Sequence, residues 1–360
     1  MPLDFCCNRL QAMRRSGATA NGEEASVAVT ISDVAKAAGV SASTVSRALT
    51  RPERVDAETK ARIFAEIERL GYKVNRAARG LVTGRTSNLA VIVADLANPF
   101  FPDIVKGIQL RAHRRNLTTL LADSGENPEA ELNLVGSLAP QVDGIVLCGS
   151  RMSDEQLAKA QQLAPVLLVN RSASGVPAVA VDNADGMRQA VRHLRALRHR
   201  RIGYVGGPTT SRSHHDRWDG ARRAAADNGM ELIELGNVEP SFGGGAAAAD
   251  SVLLAEVSAV LTYNDMIAIG LMHRLVGYGV RVPDEISVVG FDDIPLAEMT
   301  YPPLTTVRFP RREAGEAAVD RLMRVLDGAE PEDDAAPLPT ELVVRGSTTR
   351  LQTSPEGNHA

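Results

Sequence analysis

Residues 30–49, TISDVAKAAGVSASTVSRAL, combine several small hydroxyl side chains with an arginine, a set that can hydrogen-bond to base edges and phosphates. Their spacing predicts two short helices joined by a turn. Such a helix-turn-helix places the first residues of its second helix in the major groove of DNA. An ordinary helical hairpin within a core uses similar small residues, so this stretch alone leaves both interpretations open.

Helix-capping residues and small residues must position this stretch. Thr30 and Asp33 fit a capping box at the start of the first helix, and Ser41 is a natural N-cap for the second. Ala35 leaves room for the second helix to cross closely, and Gly39 permits the turn.

A third helix and a short connector follow. Asp56 is its predicted N-cap and Gly71 its predicted end. The buried stripe that we predict on this helix consists of Ile63, Phe64, Ile67 and Leu70. Residues 75–85, NRAARGLVTGR, then predict a short helix that begins at Asn75 and stops at Gly84.

Residues 29–101 resemble the lactose-repressor (LacI/GalR) family of transcriptional regulators. The matching pieces, in chain order, are TISDVAKAAGVS, TVSRAL, the helix ending in ERLGY, the hinge pattern N-x-x-A-R-x-L, and LANPFF. The resemblance continues to about residue 350. It implies a small all-α helix-turn-helix headpiece with a hinge helix, followed by a two-lobed α/β core like that of type I periplasmic binding proteins, with three crossovers and an effector in the cleft.

The resemblance also implies roles for residues of the recognition helix. Ala42, Ser43 and Arg47 match the family's base-reading positions, and Arg47 can donate two parallel hydrogen bonds to guanine O6 and N7. Phosphate contacts are expected from Ser41, Thr44 and Ser46.

In the hinge, Leu81 matches the leucine that the family inserts into a central base step from the minor groove, where an apolar wedge kinks the duplex. Asn75, Ala78 and Arg79 would line the same face. Packing of Leu81 against the core domain is the alternative.

The charge distribution agrees with a DNA-binding headpiece. Residues 28–86 carry eleven Lys/Arg against six Asp/Glu, a net of +5, and residues 1–27 balance at three against three. The remaining residues carry 26 Lys/Arg against 35 Asp/Glu, a net of −9. A basic end on an acidic body predicts phosphate binding that weakens steeply with salt.

The chain of 360 residues, 44% of them hydrophobic, is long enough for a headpiece and a large domain. No apolar run approaches the ~20 residues of a membrane span, and residues 1–27 contain no signal-peptide core, so we expect a cytoplasmic, nucleoid-associated protein without a membrane partner. Cys6, Cys7 and Cys148 offer neither a disulfide framework nor zinc-ligand spacing, and we expect no metal and no cofactor. Because the family begins almost at the helix-turn-helix, Met13 is a candidate start in place of Met1.

From Leu89 onward, short apolar runs alternate with amphipathic helical patterns, which predicts parallel strands in an α/β domain with helices on both faces. The predicted strands are LAVIVADL, TTLLADS, GIVLCGS, PVLLVNR, RIGYVGG, AVLTYND and ISVVGFDD, with LPTELVVRGST as a closing strand. The predicted helices include 102–116, 184–199, 213–228, 265–279 and 311–328. The expected divisions are a disordered extension (1–27), the DNA-binding domain (28–74), the hinge and linker (75–86), the effector-binding and dimerisation domain (87–350) and a disordered tail (351–360).

Ligands of open α/β sheets bind beyond the carboxyl ends of strands, which selects residues 98–101, 123–124, 171, 182–183, 264–265 and 292–293. Among them, Phe100, Phe101, Ser124 and Arg171 are candidate effector contacts. The resemblance adds Arg217 and supports Asn264 and Asp292, whose family counterparts bond the effector. An aspartate can accept two sugar hydroxyls, so we expect a sugar or sugar derivative. Because solvent-facing turns also place polar residues at strand ends, each single candidate could be merely structural.

Three further features have mainly structural interpretations. Trp218 is expected to pack in the core, and Asp182-Asn183 to order a crossover. His214 and His215 point apart on a helix and lack a third ligand, so we expect them to be solvated or at the cleft edge rather than a metal pair. The small-residue run 243–249 predicts either a closely packed helix start or a shortened loop.

The leading functional hypothesis is a transcriptional regulator, expected to be a repressor, that binds a palindromic operator in double-stranded DNA as a homodimer and responds to a small-molecule effector. The alternative is a sugar-binding transport or receptor protein with the same core. An enzyme with a doubly wound fold is a second rival, but no phosphate cradle, metal cluster or nucleophile–base pair supports it, and we expect no catalytic residues. Whether effector releases or promotes DNA binding, and whether the assembly is a dimer or a tetramer, are left open.

Overall fold

The computed structural model describes residues 29–72, 85–329 and 336–351. The chain divides into two compact units, Met1–Asn75 and Arg76–Ala360. The predicted hinge residues Asn75, Ala78, Arg79 and Leu81 lie outside the described residues, as do residues 1–28 and 352–360. Among the described residues, no helix is both long and apolar enough to cross a membrane.

The first unit contains three α-helices among its described residues: α1 (Ile31–Ala38), α2 (Ala42–Thr50) and α3 (Ala57–Leu70), with a 3-10 turn at Pro52–Arg54. Thr30 and Asp33 form the predicted capping box at the start of α1, and Gly39 ends the helix in the left-handed conformation (φ 63°). Asp56 caps α3, and Gly71 ends it with φ 64°. These caps determine where each helix starts and stops, as the sequence predicted.

The three helices share one small core. Ala35 on α1 and Val45 on α2 are buried where the two helices cross, and Ile63 of α3 is fully buried against them. Ile67 and Leu70 pack at the edge of this cluster. The prediction was wrong for Phe64, whose side chain is 44% exposed, because the contact stripe of α3 runs through Ile63 and its i+4 and i+7 neighbours.

The second unit consists of two α/β lobes, each built on one sheet. Its strands are β1 (Asn88–Val93), β2 (Thr118–Asp123), β3 (Gly144–Cys148), β4 (Val166–Val169), β5 (Ala178–Val179), β6 (Arg201–Gly206), β7 (Glu231–Asn237), β8 (Ala259–Thr262), β9 (Ser287–Asp292), β10 (Thr305–Arg308) and β11 (Glu341–Val343). The first lobe has the strand order β2-β1-β3-β4-β5, and the second has β11-β10-β9-β8-β6-β7. All neighbours are parallel except β10 and β11.

Helices cover both faces of each sheet. They are α4 (Phe100–Arg114), α5 (Pro128–Leu138), α6 (Asp154–Leu163), α7 (Asn183–Ala196), α8 (Arg212–Asp227), α9 (Phe242–Ala247), α10 (Ala249–Leu254), α11 (Asp265–Gly277), α12 (Pro295–Met299) and α13 (Arg311–Leu326), with a 3-10 turn at Ala139–Gln141. This doubly covered parallel arrangement is the predicted two-lobed α/β fold.

Three crossovers join the lobes. The chain passes from β5 to α7, and later leaves β10 for α13, which returns to the first lobe and packs on α4. It then crosses again to reach β11. The first and third crossovers run side by side, since Leu338 exchanges backbone hydrogen bonds with Ala180 and Asp182. Ion pairs from Arg111 and Arg115 to Asp320 help to attach α13 to α4.

All seven predicted strands are present, although TTLLADS is a half-exposed edge strand rather than a buried one. The prediction did not include β5, β7 or β10. The alternating polar and apolar residues of β7 suit the opposite edge. The small-residue run 243–249 forms parts of α9 and α10. A Cβ at Gly245 would lie 2.0 Å from the carbonyl oxygen of Ile267, so glycine is needed where α9 approaches α11.

Candidate functional site

The recognition helix α2 presents its N-terminal face to solvent. Ala42, Ser43 and Arg47, the predicted base-reading residues, are all exposed, whereas Val45 and Ala48 are buried on the opposite face. Residues three and four positions apart lie on the same helix face, so Arg47 projects beside Ser43. This face of α2 can therefore bring the guanidinium of Arg47, a bidentate donor, and the hydroxyl of Ser43 into one DNA groove together.

Ser41 is committed to the helix itself. Its Oγ accepts a hydrogen bond from Thr44 N at 3.2 Å and lies 2.8 Å from both Ser43 Oγ and Thr44 Oγ1. Ser41 and Thr44 lie at the start of α2, where the helix dipole favours a phosphate, whereas the half-buried Ser46 lies in the middle of the helix.

A second candidate site lies between the two lobes of the core, where β1, β3, β4, β8 and β9 end at their carboxyl edges. The lining residues are Asn98, Phe100, Phe101, Gly149, Arg151, Asn170, Ser213, Arg217, Pro240, Tyr263, Asn264 and Asp292. The cavity volume is only about 20 Å³, roughly enough for one water, whereas small-molecule sites usually measure ~300–1,000 Å³. A ligand of sugar size therefore requires the lobes or their side chains to move apart.

Arg217 on α8 is at the centre of this cleft and is 2% exposed. Its guanidinium donates to Asn183 Oδ1 at 3.0 Å, to the Tyr263 carbonyl oxygen at 2.5 Å and to Asp292 Oδ1 at 3.2 Å. It also stacks 3.7 Å from the centre of the Phe291 ring. Because Asn183 Nδ2 donates to Asn170 Oδ1 at 2.9 Å, a continuous hydrogen-bonded chain links the first lobe to Asp292 in the second.

Asp292 ends β9 with a positive φ of 115°, and its side chain is almost fully buried. Burial raises the pKa of this carboxyl to about 6, although the positive charges of Arg217 and Arg311 oppose the shift. Arg311 also donates to the backbone carbonyls of Asp292 and Asp293. Arg217 thus holds the buried carboxyl, while Arg311 holds the strained backbone at the end of β9.

Asn264 and the two phenylalanines also line the cavity. Asn264 caps α11 by accepting from Ile267 N at 2.9 Å, and its Nδ2 donates to the Pro240 carbonyl. Phe100 and Phe101 pack edge to face with ring centres 5.1 Å apart. Both rings line the cavity, and both are also buried in the core of the lobes.

Two predicted contacts lie outside the cavity lining. Ser124 donates its hydroxyl to the Val93 carbonyl oxygen. Arg171 donates to the carbonyl oxygens of Ser150 and Met152 and to Asp154, so its buried guanidinium organises the loop after β3.

Sequence reasoning missed several lining residues. Arg151 and Asn170 both follow first-lobe strands, and the strand-end rule could have selected them; it selected Arg171, next to Asn170, instead. Ser213 lies four residues before Arg217, on the same face of α8. The hydroxyl of Tyr263, which precedes Asn264, bonds Ser213 Oγ at 3.1 Å, and no motif indicated this pair.

Aromatic and imidazole side chains pack next to the cleft. His214 is buried rather than solvated, since it is 4% exposed and accepts from Gly207 N, whereas His215 is exposed. Burial, together with His215 and Arg217, lowers the pKa of His214 to about 4. Trp218 packs on the core 5.3 Å from the Tyr204 ring, as predicted. Within residues 29–72, 85–329 and 336–351, no group of three His, Cys, Asp or Glu is placed to hold a metal ion.

Comparison with protein families gives two matches that follow the two units. The family described as "Bacterial regulatory proteins, lacI family" matches residues 30–75. The "Periplasmic binding protein-like domain" matches residues 191–348, which include Arg217, Asn264 and Asp292.

Individual proteins are similar along nearly the whole chain. The HTH-type transcriptional repressor CytR of Escherichia coli K12 is 31% identical over 334 residues, covering 90% of this chain and 97% of that repressor. A crystal structure of the lac repressor dimer bound to operator and the anti-inducer ONPF is 30% identical with a TM-score of 0.80, covering 89% of this chain and 99% of that one. A complex of the transcriptional regulator CelR with cellobiose is 30% identical with a TM-score of 0.63, at the same two coverages.

Proposed function

Because the chain belongs to the LacI family of bacterial regulatory proteins, we propose that it is a sequence-specific transcriptional repressor whose operator affinity is modulated by a small-molecule effector. The observation that carries this proposal is that one chain contains both an exposed recognition helix and a closed polar cleft centred on Arg217. This function requires no catalytic residue and no cofactor, and it would operate in the cytoplasm, associated with the nucleoid.

On the DNA side, Arg47 is the principal base-reading residue, because Ala42 and Ser43 can offer only a methyl contact or one hydrogen bond. Ser41, Thr44 and Ser46 hold the nearby phosphates and fix the register of the helix. The hinge, with Leu81 as its minor-groove wedge, remains part of this proposal.

On the effector side, the ligand enters the cleft between the two lobes. Arg217 and Asp292 supply donors and acceptors from the second lobe, and Phe100 and Phe101 supply an apolar face from the first. Relatives with solved structures bind cellobiose and ribose, which supports a sugar or sugar derivative as effector. Because the cavity is now about 20 Å³, ligand binding and lobe movement must be coupled.

The functional unit is a homodimer. The second lobe exposes large apolar side chains that a monomer would leave in water, notably Leu254 at 85% and Tyr301 at 97%. The lac repressor structure with the same fold is a dimer on its operator. Two headpieces reading a palindrome follow directly from this symmetry.

Effector and operator are coupled through the core. Lobe movement changes the geometry at the dimer surface, and this biases the hinge helices between ordered and melted states, so the two sites share one equilibrium. The factor by which the effector changes operator affinity must equal the factor by which the operator changes effector affinity, whether the effector weakens or strengthens DNA binding.

The alternative of a sugar-binding transport or receptor protein is less well supported, because residues 29–72 fold as a capped helix-turn-helix with an exposed reading face. Two experiments test the choice. Genomic fragments retained by the full-length protein at about 0.05 M salt should share one palindromic sequence, and raising the salt to about 0.2 M should weaken retention strongly. Retention without a shared sequence would contradict the proposal.

The second experiment screens sugars and nucleobases by thermal shift. A ligand present at 100 times its dissociation constant should add about 2.7 kcal/mol of stability. A ligand that stabilises a protein that retains no shared palindrome would favour the transport alternative, whereas a ligand that leaves palindrome retention unchanged would contradict the effector response.

A further inference from the structure

Arg151 is a second arginine of the cleft, on the first lobe, and the function proposed above does not use it. The residue is 6% exposed and lines the cavity opposite Arg217. Its backbone N–H donates to Glu131 Oε2 at 3.0 Å, which fixes the loop after β3. Its Nε and Nη2 donate to the two carboxylate oxygens of Glu126 at 2.5 and 3.1 Å. Arg151 is therefore oriented from the first lobe and cannot swing freely.

The guanidinium of Arg151 also reaches across the cleft. It interacts with the side chain of Tyr263, a second-lobe residue. The Tyr263 hydroxyl in turn bonds Ser211 and Ser213 at 3.0 and 3.1 Å. An arginine anchored in one lobe thus faces a side chain of the other lobe across the cavity in which a ligand must be clasped.

Arg151 keeps hydrogen-bond donors that its partners in the first lobe do not use. A guanidinium has five N–H donors and no acceptor, so Arg151 retains donors beyond the two atoms that Glu126 binds. The amide oxygens of Asn98, Asn170 and Asn264 already accept from Phe100 N, Asn183 Nδ2 and Ile267 N. The Pro240 carbonyl already accepts from the Asn264 amide. A ligand that completes this site needs acceptors on the side facing Arg151.

The charged side chains at the cavity also favour an acceptor group of the ligand beside Arg151. Asp292 is the acidic residue of the lining, and its charge is matched by Arg217 at 3.2 Å. Glu126, the partner of Arg151, is not part of the lining, and its side chain is 25% exposed to water at the rim. Glu126 pairs with Arg151, but this carboxylate is partly solvated, so an anionic group of a ligand can compete with it for Arg151, and a charge-assisted bond there is about twice as strong as a neutral one.

Taking the proposed effector site as given, we propose that Arg151 selects the ligand class: the effector carries a carboxylate or phosphate group that accepts hydrogen bonds from the Arg151 guanidinium. Its hydroxyl groups then face Arg217 and Asp292 on the second lobe. The anionic group bridges the lobes by replacing the present contact between Arg151 and Tyr263.

The test compares each neutral sugar with its acid and its phosphate, using full-length protein and the fluorescence of Trp218, the single tryptophan, which follows Arg217 on α8. Glucose, gluconate and glucose 6-phosphate form one series, and ribose, ribonate and ribose 5-phosphate the other. We expect at least tenfold tighter binding of an anionic member, equivalent to about 1.4 kcal/mol. The acid and phosphate arms show which anion is preferred, and inorganic phosphate and acetate show whether the anion alone suffices.

Arg151→Gln should remove most of this preference, because it should weaken binding of the anionic members at least tenfold more than binding of the neutral member. If Arg151→Gln does not fold, Arg151→Lys should keep part of the preference, because it retains charge without the planar fork. Arg111→Gln is the matched control, since Arg111 is another first-lobe arginine bound to a carboxylate, Asp320, but outside the cleft. It should preserve the preference.

Equal binding of neutral and anionic members, binding of no anionic member, or an Arg151→Gln variant that weakens all members alike would overturn the assignment. A wrong assignment of Arg151 can be distinguished from a wrong assignment of the protein's function. If palindrome retention still responds to a neutral sugar, only the role of Arg151 is wrong.

Discussion

Asp292 is predicted to destabilise the core as it ionises, which makes the cleft sensitive to pH. Its pKa is raised by burial from 3.8 to about 6, against the opposing charges of Arg217 and Arg311. A carboxyl with a higher pKa in the folded state binds more protons there than in the unfolded chain. Its stabilising contribution is therefore complete below pH 3.8 and is lost as the pH rises through 6.

The magnitude follows from the size of this shift. One pKa unit corresponds to about 1.4 kcal/mol, so the whole shift of Asp292 is worth about 3 kcal/mol, of which about 2 kcal/mol falls between pH 4.5 and 8. In Asp292→Asn this titration is absent. The free energy of unfolding of the wild type minus that of the variant should therefore fall by about 2 kcal/mol across that range. The attraction of Arg217 is already included in this pKa, so only the difference between a protonated Asp292 and an asparagine adds an offset that does not depend on pH.

Urea unfolding of full-length protein, followed by the fluorescence of Trp218, measures this difference because the tryptophan packs on the second-lobe core near Arg217. A difference that stays constant with pH would show that Asp292 does not titrate in this range. A difference that grows with pH would show that pairing with Arg217 outweighs burial. Either result would refute the account of this carboxyl.

Three other substitutions test separate parts of the structure. Arg47→Ala should weaken binding to the selected palindrome by about 1–3 kcal/mol, measured by fluorescence anisotropy, and leave binding to unrelated DNA nearly unchanged. Arg69→Ala, which replaces an exposed arginine of α3, is the control. An equal loss of palindrome binding in both variants would contradict base reading by Arg47. Gly245→Ala should cost about 1–3 kcal/mol in urea unfolding because its Cβ would lie 2.0 Å from Ile267 O, whereas Gly243→Ala, with its nearest neighbour at 3.8 Å, should be neutral or stabilising. Burial raises the pKa of Asp320, but Arg111 and Arg115 outweigh it and hold the pKa below 3.8. The free energy of unfolding of the wild type minus that of Asp320→Asn should therefore fall toward zero as the pH falls, which is the opposite direction to Asp292. The same trend with pH for both variants would contradict the ion pairs.

The elements of the fold could be predicted because local patterns determine them. Capping side chains at Thr30, Ser41 and Asp56 mark helix starts by bonding backbone N–H groups within three residues. Buried parallel strands such as β1 appear as continuous apolar runs between helical patterns. Phe64 was assigned to the wrong face because successive residues of a helix differ by only about 100°, which is less than the width of an apolar stripe. The sequence pattern therefore did not separate Phe64, which is exposed, from its buried neighbour Ile63.

The cleft was less predictable because it depends on contacts between distant parts of the chain. The strand-end rule narrowed the search, but it cannot tell Asn170, which lines the cavity, from Arg171, which organises a loop. Likewise, nothing local to Arg151 indicates that it faces Tyr263, more than a hundred residues later. Such pairings follow from the packing of the two lobes.

The central claim is that one chain couples a ligand in the cleft to an operator at the headpiece. The most direct measurement is the dissociation constant of full-length protein for the selected palindrome, by fluorescence anisotropy, with and without a ligand found by thermal shift. The account predicts a change of roughly 5- to 150-fold, the span of 1–3 kcal/mol of coupling, and the same factor in ligand affinity when DNA is present. An operator dissociation constant that is identical with and without saturating ligand would contradict it.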